Sequence, residues 1–101
     1  MIHVIASIRI KEGKVSEYLE ILKENVPKVR GEKGCIDYLP TVDINAELPR
    51  QAMDADMVTI IERWESMDAL HTHLGAPHMQ SYREKSKDLV ESGSIKILQE
   101  A

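Results

Sequence analysis

Residues 3–10 read HVIASIRI, and residues 15–29 read VSEYLEILKENVPKV. In the first stretch the apolar residues alternate from Val4 to Ile10, which is the period of a β-strand. In the second stretch they recur at helical offsets, so one stripe of a helix faces a core. We expect Pro27 to interrupt this helix and start an offset turn, because proline cannot donate to the preceding turn. The change of period predicts a strand followed by a helix.

The rest of the chain predicts two further strands, two helices and a last strand. The strands are expected at Cys35–Val42, at Met57–Glu65 and, briefly, around Ile95 and Ile97. Between the first two lies a polar segment at 43–56, which is long for a connection and suggests a functional lid or a mobile loop. A short helix is expected from the N-cap Ser66 to Leu74, and a second helix over about Pro77–Glu91.

This order predicts an α+β fold of the ferredoxin-like kind: a βαββαβ antiparallel sheet with helices on one face, formed by residues 1–101 as a single domain. Such a sheet leaves its other face apolar. Packing two sheets face to face would cover that face, so the pattern also predicts a homodimer.

Composition narrows the classes of function. The chain has a net charge of −4, which argues against nucleic acid as a partner, because phosphates require a clustered basic face. It has no apolar run near the ~18 residues of a membrane span, so we expect no membrane partner and a cytoplasmic location. Its one cysteine, Cys35, excludes an internal disulfide and a multi-cysteine metal cluster, and we expect it to be a small core residue.

Three segments resemble the antibiotic biosynthesis monooxygenase superfamily. VRGEKGCIDY at 29–38 is similar to its Arg-x-Glu-x-Gly-Cys-x-x-Tyr turn, and IERWESMDAL at 61–70 to its Glu-x-Trp-x-Ser-x-x-Ala-Leu step. HLGAPHM at 73–79 resembles its histidine segment. The resemblance implies a dimeric α/β barrel. Relatives on this fold oxidise quinols and anthrones with O₂ and no cofactor, degrade haem, or process a phosphorylated sugar derivative, so the fold alone does not fix the function.

The haem-degrading branch fits this chain poorly. That branch is expected to carry an asparagine in the first strand, a tryptophan ending the third, and an iron-ligating histidine in the last helix. Here the corresponding residues are Ser7, Trp64 and Arg83. Because a guanidinium cannot coordinate iron, we expect no haem and no other cofactor.

Trp64 and Glu62 lie on one face of the third predicted strand. Trp64 is expected to be either a core residue or a flat wall on which an aromatic ligand stacks. Glu62 cannot be an ordinary core residue unless it is paired, and we expect a partner such as Arg9 or Arg63 of either subunit.

Three histidines follow close together. We expect His73 at the margin of the buried helical stripe and His71 facing solvent. His78 begins the next helix, where the helix dipole favours a neutral ring, the form that a general base needs. The alternative is that each is a surface or capping residue. No metal site is expected, because the spacing lacks a His-x₃-His pair and no carboxylate clearly converges.

The sequence therefore favours cofactor-independent monooxygenation of a small phenolic or quinol-like substrate by O₂. The expected catalytic residues are His73 or His78 as the base, with Trp64 stacking on the ring. The expected substrate-binding residues are Ser7, Tyr38, Glu62, Tyr82 and Arg83; Arg83 is alternatively part of a solvated charge run. Two alternatives stay open: an isomerase or lyase acting on a small sugar-like metabolite, and a non-catalytic ligand-binding barrel.

Overall fold

Four strands and three helices follow one another in the predicted order. The computed structural model describes residues 1–101. The elements are β1 (Ile2–Ile10), α1 (Val15–Arg30), β2 (Cys35–Val42), β3 (Met57–Trp64), α2 (Met67–Leu74), α3 (Pro77–Ser86) and β4 (Val90–Leu98). None of the helices is long and apolar enough to cross a membrane.

The strands form one antiparallel sheet in the order β2-β3-β1-β4. This is the predicted ferredoxin-like α+β arrangement, with the second helical connection divided into α2 and α3. Alternation along the strands places Val4, Ile60, Glu62 and Trp64 on the face that the helices cover, where all four are buried. The functional candidates of β3 therefore point into the core between sheet and helices.

The opposite sheet face carries no helix. It presents Ile5 and Ser7 from β1, Leu39 from β2 and Ile61 from β3. Leu39, on the edge strand β2, and Ile61, on the inner strand β3, are 51% and 41% exposed. The face is uncovered but mixed rather than apolar, because Thr59, Arg63 and Lys96 share it with these side chains.

Helix α1 does not break at Pro27, which corrects the expectation of an offset turn. The helix runs without interruption to Arg30, and the backbone N–H of Gly31 donates to the carbonyl of Pro27. Proline removes one backbone donor, but Val26 and Val29 on either side are buried in the core. Their packing holds the last turn in register.

Helix α3 is shorter than predicted and β4 begins earlier. The helix ends at Ser86 and the strand starts at Val90, inside the segment that the sequence assigned to the helix. Pairing with β1 is the reason: Val90 lies opposite Ile10, and the N–H of Lys11 donates to the carbonyl of Leu89. Pairing with β1 therefore stabilises a strand here more than the weak helical pattern of the sequence stabilises a helix.

The 43–56 segment is tied to β1 rather than detached from the fold. Asp54 pairs with Arg9, and the backbone N–H of Asp54 donates to the carboxylate of Asp43, 2.8 Å away. These contacts close the segment on itself near the start of β3. Its role as a lid stays a prediction.

Candidate functional site

Three elements bring a carboxylate and two histidines together. Oε2 of Glu32, in the α1–β2 turn, lies 2.7 Å from Nδ1 of His73 at the end of α2 and 3.1 Å from Nε2 of His78 at the start of α3. A carboxylate oxygen only accepts, so an N–H of each ring donates to it. We call Glu32, His73 and His78 the Glu32 triad.

The turn that carries Glu32 approaches α2 because of a glycine. Gly34 has a φ of +87°, and a Cβ there would lie 2.6 Å from the Cβ of Ala69. The carbonyl of Gly34 also accepts a hydrogen bond from the N–H of Glu65, at 2.8 Å. A residue with a side chain would push the turn away from the helix, and Glu32 away from His73.

His73 lies in a closed pocket of polar and aromatic side chains. It is 2% exposed, and its ring stacks at a tilt on Trp64 with 4.5 Å between centroids. Tyr38 meets the same ring edge-on at 5.7 Å. Glu62, 4% exposed, accepts a hydrogen bond from Nε1 of Trp64 at 2.9 Å, and its Oε1 lies 4.0 Å from Nε2 of His73. The imidazole therefore sits between two carboxyl groups.

Burial shifts the protonation of this cluster. It raises the pKa of Glu62 to about 7, against the hydrogen bond from Trp64, which lowers it. Burial also lowers the pKa of His73, although the hydrogen bond to Glu32 acts in the other direction. His73 is accordingly neutral near neutral pH, while Glu62 holds its proton part of the time.

A cavity of about 510 Å³ opens beside the Glu32 triad. Glu32 and His78 line it, whereas His73 lies behind them. Its other lining includes the carboxylates Glu65 and Asp68 and the cation Lys33. We call it the Glu32–His78 cavity.

A second opening, of about 340 Å³, lies between α3 and the sheet edge, and we call it the α3–β4 cleft. Its lining includes Ile8, Tyr82, Arg83 and Val90. The hydroxyls of Tyr82 and Tyr18 share a hydrogen bond, and burial raises the pKa of Tyr82, so this phenol stays protonated. A guanidinium N–H of Arg83 donates to the carbonyl of Leu74 at 2.8 Å, which holds the side chain along α3.

The structure divides the predicted site residues into three groups. Tyr38, Glu62, Trp64 and His73 surround one another in the core, with His78 at their border. Tyr82 and Arg83 line the α3–β4 cleft. Ser7 lies on the uncovered sheet face, so the sequence was wrong to group it with Trp64.

Of the two alternatives for Trp64, the structure agrees with the core residue, since Trp64 is fully buried and its ring packs on His73. The expected partners of Glu62 need correction. Glu62 contacts neither Arg9 nor Arg63, because Arg9 binds Asp54 and Glu91 and Arg63 binds Asp37. The partners of Glu62 are Trp64 and His73 instead. The expected exposure of His71 is confirmed.

Sequence reasoning gave no role to Glu32, which holds the two histidines. It is 41 and 46 positions from them in the chain, so no spacing rule connects them. The only signal was its place in the segment at 29–38 that resembles the family turn.

Comparison with known proteins identifies a family from the sequence and a shared architecture from solved structures. Residues 1–85 match the model of the family described as antibiotic biosynthesis monooxygenase. The chain is 41% identical over 101 residues to the "probable quinol monooxygenase YgiN" of Escherichia coli K12, covering 98% of this chain and 97% of that protein.

Solved structures share the architecture at lower identity. A conserved protein from Methanosarcina mazei superposes with a TM-score of 0.85 at 22% identity, over 99% of this chain and 92% of the other. Protein SO0527 from Shewanella oneidensis gives 0.84 at 27% identity, over 98% and 89%. Since the family model spans β1 to nearly the end of α3, the chain belongs to the antibiotic biosynthesis monooxygenase family.

Proposed function

We propose that this protein is a cofactor-independent monooxygenase that oxidises a small phenolic or quinol-type substrate with O₂ in the α3–β4 cleft. Family membership and the likeness to a probable quinol monooxygenase support a monooxygenase-type activity. The observation that carries the finer proposal is the cleft itself, which the apolar residues Ile8 and Val90 line together with Arg83 and Tyr82.

The chemistry explains why these groups suffice. Triplet O₂ does not react directly with a closed-shell molecule, but an electron-rich phenolate can pass it one electron. In the net reaction one oxygen atom enters the ring and the other leaves as water, while the quinol supplies all the electrons and becomes a hydroxyquinone. The protein must therefore promote deprotonation, hold the anion and exclude water.

Arg83 and Tyr82 can perform the anion-holding part. Arg83 uses one N–H on Leu74, and a guanidinium has five, so donors remain for a phenolate oxygen. Tyr82 stays protonated, so its hydroxyl can serve as a donor as well. Arg83 is solvent-exposed, so its contribution is that of a directed, charged hydrogen-bond donor at the mouth of the cleft.

We keep His78 as the candidate proton acceptor, with its ring oriented by Glu32. It lines the Glu32–His78 cavity and not the α3–β4 cleft, so in this proposal the proton reaches it by way of Tyr82, which lies one turn further along α3. His73, with Trp64, Glu62 and Tyr38 around it, is enclosed and acts in this proposal as a positioning residue behind Glu32. Ser7 has no place in this substrate site.

The proposal includes a homodimer formed through the uncovered sheet face. The apolar side chains Ile5, Leu39 and Ile61 on that face support it, since burying them against a second sheet is favourable. Sedimentation at low concentration tests it, and a stable monomer with a cooperative melt would contradict it. The cytoplasmic location stays a prediction.

The activity is tested by oxygen consumption of metal-free protein with hydroquinones, naphthohydroquinones and anthrones. We expect uptake well above autoxidation, reduced roughly 10²-fold or more in Arg83→Gln, the size typical of a lost oxyanion donor. Lys85→Gln is the matched control, because Lys85 is an exposed cation of the same helix that lies outside the cleft. His78→Ala with His71→Ala as its control tests the proton acceptor. No uptake with any substrate would contradict the proposal.

One observation favours a second candidate, an isomerase or lyase acting on a small sugar-like metabolite. The Glu32–His78 cavity carries the carboxylates of Glu32, Glu65 and Asp68, which can accept hydrogen bonds from the hydroxyl groups of such a substrate. Proton transfer by His78 would then proceed without oxygen. Conversion of a sugar-like substrate without O₂ uptake, lost in His78→Ala, would select this second candidate. If neither reaction occurs and ligand binding is unchanged in Arg83→Gln and in His78→Ala, the non-catalytic barrel is selected.

A further inference from the structure

We propose that the Glu32 triad binds a divalent transition-metal ion such as Zn²⁺. The carboxylate of Glu32 and the ring nitrogens of His73 and His78 offer one ligand atom each, and these atoms all lie within 4.8 Å of one another. Two imidazoles and one carboxylate are a common ligand set for zinc and for other first-row metals. The anion-holding residues of the proposed function lie elsewhere, in the α3–β4 cleft, but Glu32, His73 and His78 have a part in both proposals. Metal binding is therefore measured without substrate.

The separations are close to those that a metal requires. Ligand atoms at zinc-to-ligand distances of about 2.0–2.2 Å in a tetrahedral site lie about 3.4 Å apart. Here the carboxylate oxygen is 2.7 Å from Nδ1 of His73 and 3.1 Å from Nε2 of His78. The two carboxylate–imidazole distances would therefore need to lengthen by less than about 1 Å for an ion to replace the hydrogen bonds, and the two ring nitrogens lie within 4.8 Å of each other.

A second observation concerns the side of the His73 ring that faces away from Glu32. If Nδ1 of His73 binds the ion, its Nε2 carries the proton, and Oε1 of Glu62 lies 4.0 Å from that atom. Histidines that bind metals usually donate their other N–H to a carboxylate, and Glu62 would have to move from 4.0 Å to hydrogen-bond distance to accept it here. Glu62 is held in this position by its hydrogen bond from Trp64.

The surroundings favour a cation and leave it a free coordination position. The adjoining Glu32–His78 cavity carries two further carboxylates, Glu65 and Asp68, against one cation, Lys33. The cavity is large enough, at about 510 Å³, for water or a small ligand to complete the coordination. The sequence predicted no metal because it showed no local ligand motif; the fold supplies the missing carboxylate.

The test uses the full chain freed of metal with a chelator. Zn²⁺ binding is followed by calorimetry, and Co²⁺ binding by its visible absorption, which reports nitrogen ligands and coordination geometry. We expect one ion per chain, with affinity falling roughly tenfold or more in Glu32→Gln and in His78→Ala. Mg²⁺ should not compete, because it prefers oxygen ligands.

His71→Ala is the matched control, since His71 is an exposed histidine of α2 outside the triad, and it should bind as the wild type does. Circular dichroism confirms that each variant is folded. The proposal is overturned if folded Glu32→Gln and His78→Ala bind Zn²⁺ as tightly as the wild type, or if the wild type binds no ion. Because the readout is metal binding, a protein without oxygenase activity can still pass this test.

Discussion

Replacing Glu62 by glutamine should flatten the pH dependence of stability. The side chain is buried beside His73, and burial raises its pKa from 4.5 to about 7 in the folded chain. Glutamine has nearly the same shape, and its carbonyl can still accept the hydrogen bond from Nε1 of Trp64. The substitution thus removes the charge and retains the contact.

The direction of this pH dependence follows from the number of protons that the folded and the unfolded chain bind. Between pH 4.5 and about 7 the folded wild type keeps a proton that the unfolded chain has lost, so its free energy of unfolding falls as the pH rises. Below this window both states are protonated, and above it neither is. Since each pKa unit corresponds to about 1.4 kcal/mol, the whole fall is about 3 kcal/mol, and Glu62→Gln should not show it.

Urea unfolding at fixed protein concentration, followed by circular dichroism from pH 4 to pH 8, measures this difference. Trp64, the only tryptophan of the chain, gives a second probe by fluorescence. The variant should gain about 3 kcal/mol relative to the wild type across the window. A difference that stays constant from pH 4 to pH 8 would refute the argument that Glu62 is ionised at a penalty in the core.

Three further substitutions test other parts of the same site. Gly34→Ala should lower stability by about 2 kcal/mol or more, because a positive φ and a clash with Ala69 add up. Gly13→Ala is its control, because Gly13 also has a positive φ but has no atom near the added Cβ. Equal decreases in melting temperature for the two variants would exclude the clash with Ala69. Ser66→Ala removes the cap on the N–H of Ala69 and should lose about 1 kcal/mol in urea unfolding; no loss would mean that the cap is not stabilising. His73→Gln should reduce the loss of stability as the pH falls below 6.5, because burial lowers the pKa of the native imidazole; an unchanged acid slope would contradict this.

Much of the fold was predictable because its signals are local. Alternation at 3–10 and the helical stripe at 15–29 depend on residues within a few positions of one another, as does the cap formed by Ser66. The errors at Pro27 and Val90 arose where tertiary contacts had more effect than the local sequence pattern. Core packing kept the helix continuous through Pro27, and pairing with β1 turned Val90 into the start of a strand.

The sequence by itself determined the kinds of elements, their order and the presence of histidines that could do chemistry. Only the tertiary structure decided that Glu32 would bridge His73 and His78, and that Ser7 would lie on the other side of the sheet from Trp64. The physical reason is distance along the chain. Strand pairing and helix packing determine which side chains separated by 40 or more positions meet, and no local pattern encodes that meeting.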